Sequence, residues 1–273
     1  MLHIVIPAYN EELRLPRTLR ELRRHVAAAR GVLGRVEVIV VDNASTDATA
    51  DVARAADSAA LPVRVVRCTR RGKGAAVRAG ILASDADLVC FMDADGATRL
   101  DALELAWQRM QLGADVVIGS RALEASDTEA RHCRSRSAGA AAYRRLARRL
   151  VPGVADTQCG FKMFDGNLAR RAAELLETAG FAFDVELLVL MRAAGARIEE
   201  IPVTWVDVPG STFVPARHGA AAFAELARIA WRHRELVRPE PIRLPVPAAL
   251  PAGLAAVVVP LVVSADRGTE SAR

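Results

Sequence analysis

Short apolar runs recur along residues 1–120, each ending in polar or turn-forming residues and each followed by helical spacing. The runs predict strands over 2–7 (LHIVIP), 36–42 (VEVIVVD), 63–67 (VRVVR), 88–92 (LVCFM) and 114–120 (ADVVIGS). Leu15, Leu19, Leu22 and Val26 predict a helix over 12–29. Further helices are expected over 47–57, capped by Ser45, over 74–83 and over 99–112. Strands this apolar, separated by helices, imply an α/β fold with a mostly parallel central sheet covered on both faces.

The second half is less regular. An Arg-rich polar loop is expected over 121–137, then a basic helix over 138–150 and the segment DTQCGFKMF over 156–164. A helix over 166–179, a buried helix over 181–195, a last strand over 196–205 and an amphipathic helix with a basic end over 220–237 follow. One domain is expected over 1–237. Residues 238–273 are a Pro-rich, apolar tail. Leu244 to Ala265 carries no charge, but Pro245, Pro247, Pro251 and Pro260 interrupt it, so the tail reads as membrane-contacting or disordered rather than spanning.

In such sheets ligands sit beyond the carboxyl ends of the strands. Those ends read PAYNEE, DNASTD, RRGKG, DADG and GSR, so polar residues collect at one edge. Asp93 and Asp95, one residue apart after a buried strand, can both reach a hard divalent cation such as Mg²⁺ or Mn²⁺. Gly96 lets the backbone turn close to a ligand. Asp42 can accept from a base N–H or a ribose hydroxyl. Arg71, Lys73 and Arg78 flank Gly72 and Gly74 where a helix begins, which suits phosphate. RGKG is not a Walker loop, and GxGxxG is absent, which argues against a dinucleotide-binding fold.

The net charge of +5 and pI of about 9.5 favour anionic partners. Only two of the 37 basic residues are Lys, Lys73 and Lys162, and both fall in Gly-containing stretches. Cys68, Cys90, Cys133 and Cys159 lack metal-ligand spacing. With a strand pattern from residue 2 and no basic leader, no signal peptide is expected, and free thiols in a reducing cytoplasm follow.

VIPAYNEE, VVDNASTD, RRGKGAAVRAG, FMDADGAT, VVIGSRA, DTQCGFKMF and FAFDVELL occur in order. Over about residues 3–215 the set resembles family-2 glycosyltransferases of GT-A fold. It is similar to the dolichyl-phosphate β-glucosyltransferase group, which is related to dolichyl-phosphate mannose synthases. The resemblance implies an inverting, metal-dependent hexosyl transfer, with Pro7, Ala8, Tyr9, Glu11, Asp42, Lys73, Asp93 and Ala94 on the donor nucleotide sugar. UDP-glucose is the donor implied, with Asp93 and Asp95 holding Mg²⁺ or Mn²⁺. A polyprenyl-phosphate acceptor, already ionised, would need cationic placement by Arg121, Arg131 and Arg134. Asp156, Gln158 and Lys162 would shape the sugar or acceptor pocket. Asp95, Arg121 and Asp184 are the catalytic candidates; Asp184 or Glu186 would be the general base if the acceptor were a hydroxyl.

The alternatives keep the donor chemistry with a soluble hydroxyl-bearing small molecule as acceptor, or take GDP-mannose as donor. A nucleotidyltransferase would want a Gly-rich loop where PAYNEE stands, and a non-catalytic nucleotide-binding module would turn over no donor. No nucleic-acid partner is expected. Peripheral contact with the cytoplasmic face of a membrane fits the basic helix and the tail.

Overall fold

The computed structural model describes residues 1–129, 137–208 and 215–237. In its first half the strands are β1 (Leu2–Ala8), β2 (Val36–Asp42), β3 (Val63–Arg67) and β4 (Leu88–Met92). The helices between them are α1 (Leu15–Ala28), α2 (Arg30–Leu33), α3 (Thr49–Ala55) and α4 (Lys73–Leu82). Then come α5 (Ala102–Gln111), β5 (Val116–Ser120), β6 (Asp127–Glu129), α6 (Ser137–Leu150), β7 (Phe161–Asp165) and α7 (Gly166–Leu175). α8 (Phe183–Ala193), β8 (Ile198–Pro202), β9 (Thr204–Val206) and α9 (Pro215–Arg232) complete the described elements.

The main sheet has the order β3-β2-β1-β4-β7-β5-β8. All pairs are parallel except those of β7, which runs antiparallel to both β4 and β5. Residues 2–92 therefore supply one half of the sheet and residues 116–202 the other, and they join along the β4–β7 ladder. Alternate strand residues point to opposite faces. Val5, Val41, Val89, Phe91, Ile118 and Phe164 pack under α4, α6, α7, α8 and α9. Ile4, Ile6, Val40, Cys90, Val117 and Met163 pack under α1 and α5.

Local chemistry explains where the observed elements depart from expectation. Ser45 does not cap α3; the Asp47 carboxylate accepts from the Thr49 N–H at 3.0 Å, so the helix starts later. The helix expected over 166–179 stops at Leu175, because the Thr178 N–H is drawn to the Glu186 carboxylate at 2.7 Å. The strand expected over 196–205 is two: β8 joins the main sheet and β9 pairs with β6. α4 lacks a clean apolar stripe because it packs through small residues. A Cβ on Gly80 would lie 2.3 Å from a Val5 methyl.

Cys68, Cys90 and Cys159 are buried and unbridged. Among the described residues no helix is long and apolar enough to cross a membrane. Arg131, Arg134 and Cys133, and the tail over 238–273, lie outside the described residues.

Candidate functional site

The loops after β1 and β2 lock into each other. The Asn10 side-chain amide oxygen accepts from the Thr46 N–H at 2.9 Å, and Asn10 itself adopts φ 54°. Glu12 accepts from the Ala48 N–H at 2.9 Å, while its own N–H donates to Asp47 at 3.1 Å. Pro7 and Ala8 sit beside Val41 and Asp42 in the β1–β2 register. Asp42 is buried and accepts from the Ser45 N–H at 3.1 Å. Tyr9, next in the chain after Ala8, stands 38% exposed. Glu11 is buried and clasped by the Arg14 guanidinium at 2.7 and 2.5 Å. Burial pushes its carboxyl up, Arg14 opposes that, and the fields of Asp95 and Asp93 push it further.

Asn43 is a hub that sequence reasoning passed over. Its amide N–H groups donate to the Cys68 and Arg70 carbonyls at 3.3 and 2.7 Å, and its oxygen accepts from the Gly72 N–H at 2.8 Å. One side chain thus fixes the β2 end, the β3 end and the start of α4. Gly72 has φ 127°, and a Cβ there would lie 2.1 Å from the Ala179 carbonyl oxygen. Only glycine fits. The signal for Asn43 was its place between Asp42 and a capping run.

Asp93 and Asp95 stand at the end of β4, on the β4–β7 join. The Asp93 N–H donates to the Gly160 carbonyl at 3.0 Å, and a Cβ on Gly160 would lie 2.0 Å from an Asp93 carboxylate oxygen. Gly96 has φ 68°, so the chain turns as expected, and the Thr18 hydroxyl donates to the Ala94 carbonyl at 2.7 Å. Thr18 is a second residue missed by the sequence reading; it was hidden as a polar member of an apolar helix face.

The Lys73 ammonium lies 2.6 Å from Asp93 and 5.3 Å from the centre of the Phe91 ring. Burial disfavours its charge, but Asp93 and Asp184 outweigh burial and hold its pKa above the usual lysine value. Burial and the neighbouring Asp93 push the Asp95 carboxyl up. Two carboxylates that repel each other at a half-open turn fit a hard cation. Among the described residues no group of three or more His, Cys, Asp or Glu forms a cage, so ligand oxygens would complete the coordination.

The second half places its residues less as expected. Lys162 does not line a pocket: it is fully buried, and its ammonium meets Asp184 at 2.5 Å and the Cys159 carbonyl at 2.7 Å. It also sits 5.4 Å from the Phe91 ring, so the chain's two lysines share one aromatic ring. Asp184 is only 4% exposed; burial pushes its carboxyl up, with Lys162 and Lys73 pulling it back. It is a buried ion-pair partner, not a base open to the pocket. Glu186 is fully committed to Thr178, Arg232 and His233.

Arg121 does not reach outward as a free phosphate clamp. Its guanidinium forks onto Asp156 at 2.7 and 2.9 Å, and its backbone N–H adds a third bond at 3.0 Å. Asp156 is buried beneath it rather than lining a pocket. Burial alone would raise that carboxyl, but Arg121 outweighs burial and holds it below the usual range. Gln158 donates its N–H to Asp156 at 3.2 Å. The guanidinium also stacks 5.7 Å from the Trp205 ring of β9. Trp205 in turn bridges to Thr98, just after the Asp93–Asp95 turn.

The model of glycosyl transferase family 2 matches residues 3–173. A dolichyl-phosphate β-glucosyltransferase of Dictyostelium discoideum is 32% identical over 85% of this chain and 74% of its own length. Its namesake in Homo sapiens is 36% identical over 78% of this chain and 70% of its own. That of Drosophila melanogaster is 37% identical over 78% and 69%. Among solved structures, glucosyl-3-phosphoglycerate synthase from Mycobacterium tuberculosis with Mn²⁺ and UDP-glucose superposes with a TM-score of 0.61 at 18% identity, covering 85% of this chain and 78% of that one. The same enzyme with UDP gives 0.62 at 20%, covering 85% and 80%. The shared GT-A fold and the family match, which spans every strand contributing Asp42, Lys73, Asp93 and Asp95, lead to one assignment: the chain belongs to glycosyl transferase family 2 and is a glycosyltransferase.

Proposed function

We propose that the protein transfers glucose from UDP-glucose to a polyprenyl phosphate, with inversion at the anomeric carbon. The observation that carries the acceptor is the kinship, at 32–37% identity, with enzymes named dolichyl-phosphate β-glucosyltransferases. The residues support it. Asp42 and the interlocked Asn10–Thr46 loops would receive the nucleoside, and the N-terminus of α4 with Lys73 would receive the diphosphate. Asp93 and Asp95 would hold Mg²⁺ or Mn²⁺, which when bound neutralises charge on the leaving diphosphate.

A lipid-phosphate oxygen is ionised near neutral pH. It attacks the anomeric carbon opposite the diphosphate; a new C–O bond forms as the old one breaks, and UDP departs with the electron pair. No proton has to be removed. That suits a site whose acids on α8 are both engaged, Asp184 with Lys162 and Glu186 with three donors. A hydroxyl acceptor would need a free base there. Arg121 and Asp156 serve as a rigid wall, braced on Trp205, rather than as a mobile clamp.

The test is nucleotide release with Mn²⁺ and a panel of nucleotide sugars, with and without a short polyprenyl phosphate. UDP release that needs both UDP-glucose and the lipid phosphate is the expected result. Release to a hydroxyl compound without the lipid phosphate would replace the acceptor. Release from GDP-mannose alone would replace the donor.

A further inference from the structure

We infer that Lys73 is an exchangeable counter-ion of the metal site: its ammonium neutralises Asp93 while the site is empty and is displaced toward the diphosphate when a divalent cation takes that carboxylate. The inference rests on the proposed metal-dependent function and adds to it an ordered handover by one side chain.

The geometry is specific. Lys73 is the first residue of α4, and its backbone cannot slide. A Cβ on Gly72 would meet the Ala179 carbonyl oxygen at 2.1 Å, and one on Gly74 would meet the Thr178 carbonyl oxygen at 2.4 Å. The flexible part is the side chain, which is a quarter exposed and ends 2.6 Å from Asp93. Asp93 is held at its backbone, whose N–H is bonded to Gly160, and its carboxylate packs against Gly160 on one side. Asp95, Asp93 and Glu11 set three carboxylates into one electrostatic neighbourhood, with Arg14 bonded to Glu11 and also favouring the charge of Asp95. Lys73 is the cation that quiets Asp93 in the empty site.

A divalent ion on the two aspartates brings two charges where the ammonium brought one. The ammonium is then surplus at Asp93. The helix N-terminus behind it already favours an anion, so the released ammonium and that helix end face the same diphosphate. Two consequences follow. The empty site resists metal because Lys73 competes, and UDP eases metal entry by giving Lys73 a new partner. Lys162 remains fixed, held inside by Asp184 and the Cys159 carbonyl.

The composition makes this directly measurable, because the chain has only two lysines. In protein labelled at the lysine side chains, Lys73 and Lys162 give two ammonium-group signals in NMR, assigned with Lys73→Met. Saturating Mg²⁺, with occupancy followed by calorimetry, is expected to move the Lys73 signal and leave Lys162 in place; UDP added next should move Lys73 again. In Lys73→Met, the affinity of the empty site for Mg²⁺ should rise on the order of tenfold, because an opposing cation is gone. The gain in Mg²⁺ affinity on adding UDP should shrink. Lys73→Arg keeps the charge and should show no such rise, which separates charge from packing. Mg²⁺ binding with an unmoved Lys73 signal, or with no rise in affinity in Lys73→Met, would overturn the exchange alone. No Mg²⁺ or Mn²⁺ binding with or without UDP would overturn the exchange together with the metal reading beneath it.

Discussion

Lys162 and Asp184 meet at 2.5 Å inside the protein, the lysine side chain at 0% exposure and the aspartate at 6%. One belongs to the antiparallel strand β7 and the other to the first turn of α8. Their contact pins that helix under the sheet. A buried pair of this kind is costly to break from one side, because the survivor keeps an uncompensated charge.

Lys162→Met is therefore expected to destabilise the protein by about 3–5 kcal/mol in urea unfolding. The double variant Lys162→Met/Asp184→Leu should recover most of that loss. An unchanged unfolding midpoint in the single variant would show that the pair is not the anchor described here.

Glu186 gives a pH signature. It is fully buried; burial would raise its carboxyl, but bonds from His233, Thr178 and Arg232 outweigh burial and lower it below 4.5. A folded-state value below the unfolded one contributes stability that is complete above about pH 4.5 and is lost as pH falls through the folded value. Glu186→Gln should cost about 1.5–3 kcal/mol at pH 7. The gap to the wild type should narrow steadily below pH 4.5 in urea titrations. A gap that is constant with pH would contradict the charged hydrogen bonding.

Asp95→Asn should abolish Mn²⁺-dependent UDP release while leaving the protein folded. The Asp95 carboxyl is pushed up by burial and by Asp93, so its charge is less favourable in the folded protein than in the unfolded chain. Asparagine removes that charge while keeping an oxygen for the Ala97 N–H, so the variant should be at least as stable as the wild type at pH 7. Retained metal-dependent turnover, or a clear loss of stability, would count against the assignment.

Gly160→Ala tests the contact across the sheet join. A methyl there would lie 2.0 Å from the Asp93 carboxylate, so the carboxylate must turn away. The φ of Gly160 is not in the left-handed region, so the backbone itself accepts alanine. Turnover should fall on the order of a hundredfold from misplacement of about an ångström. The melting curve should stay cooperative. Near-normal turnover would mean that Asp93 has more latitude than its packing indicates.

Strands rich in β-branched apolar residues were legible from sequence. β2 and β4 begin and end where expected because burial on both faces fixes where polar residues start, and the half-buried edge strand β3 keeps the expected bounds as well. β7 was not legible as a strand. Gly160 precedes it and Lys162 and Asp165 interrupt its apolar run, and its antiparallel course shows only in its pairing with β4 and β5. The gathering of Asp42, Lys73 and Asp93 at one edge was visible because each follows a strand end. What could not be read was which charges are already spoken for. Arg121 looks available in sequence, yet it is tied to Asp156, a residue 35 positions away. Asn43 looks like an ordinary turn residue, yet it orders three loops. Long-range partners of polar groups leave no periodic trace.

The β4–β7 join has a final implication. The chain passes from one half of the sheet to the other only once, through α5, and the halves then meet edge to edge along Met92 to Leu88 and Phe161 to Asp165. The aspartate turn crowns that meeting line, with one wall from each half. Neither half could assemble this aspartate turn by itself, so any fraying that separates these two strands dismantles it at the moment it begins.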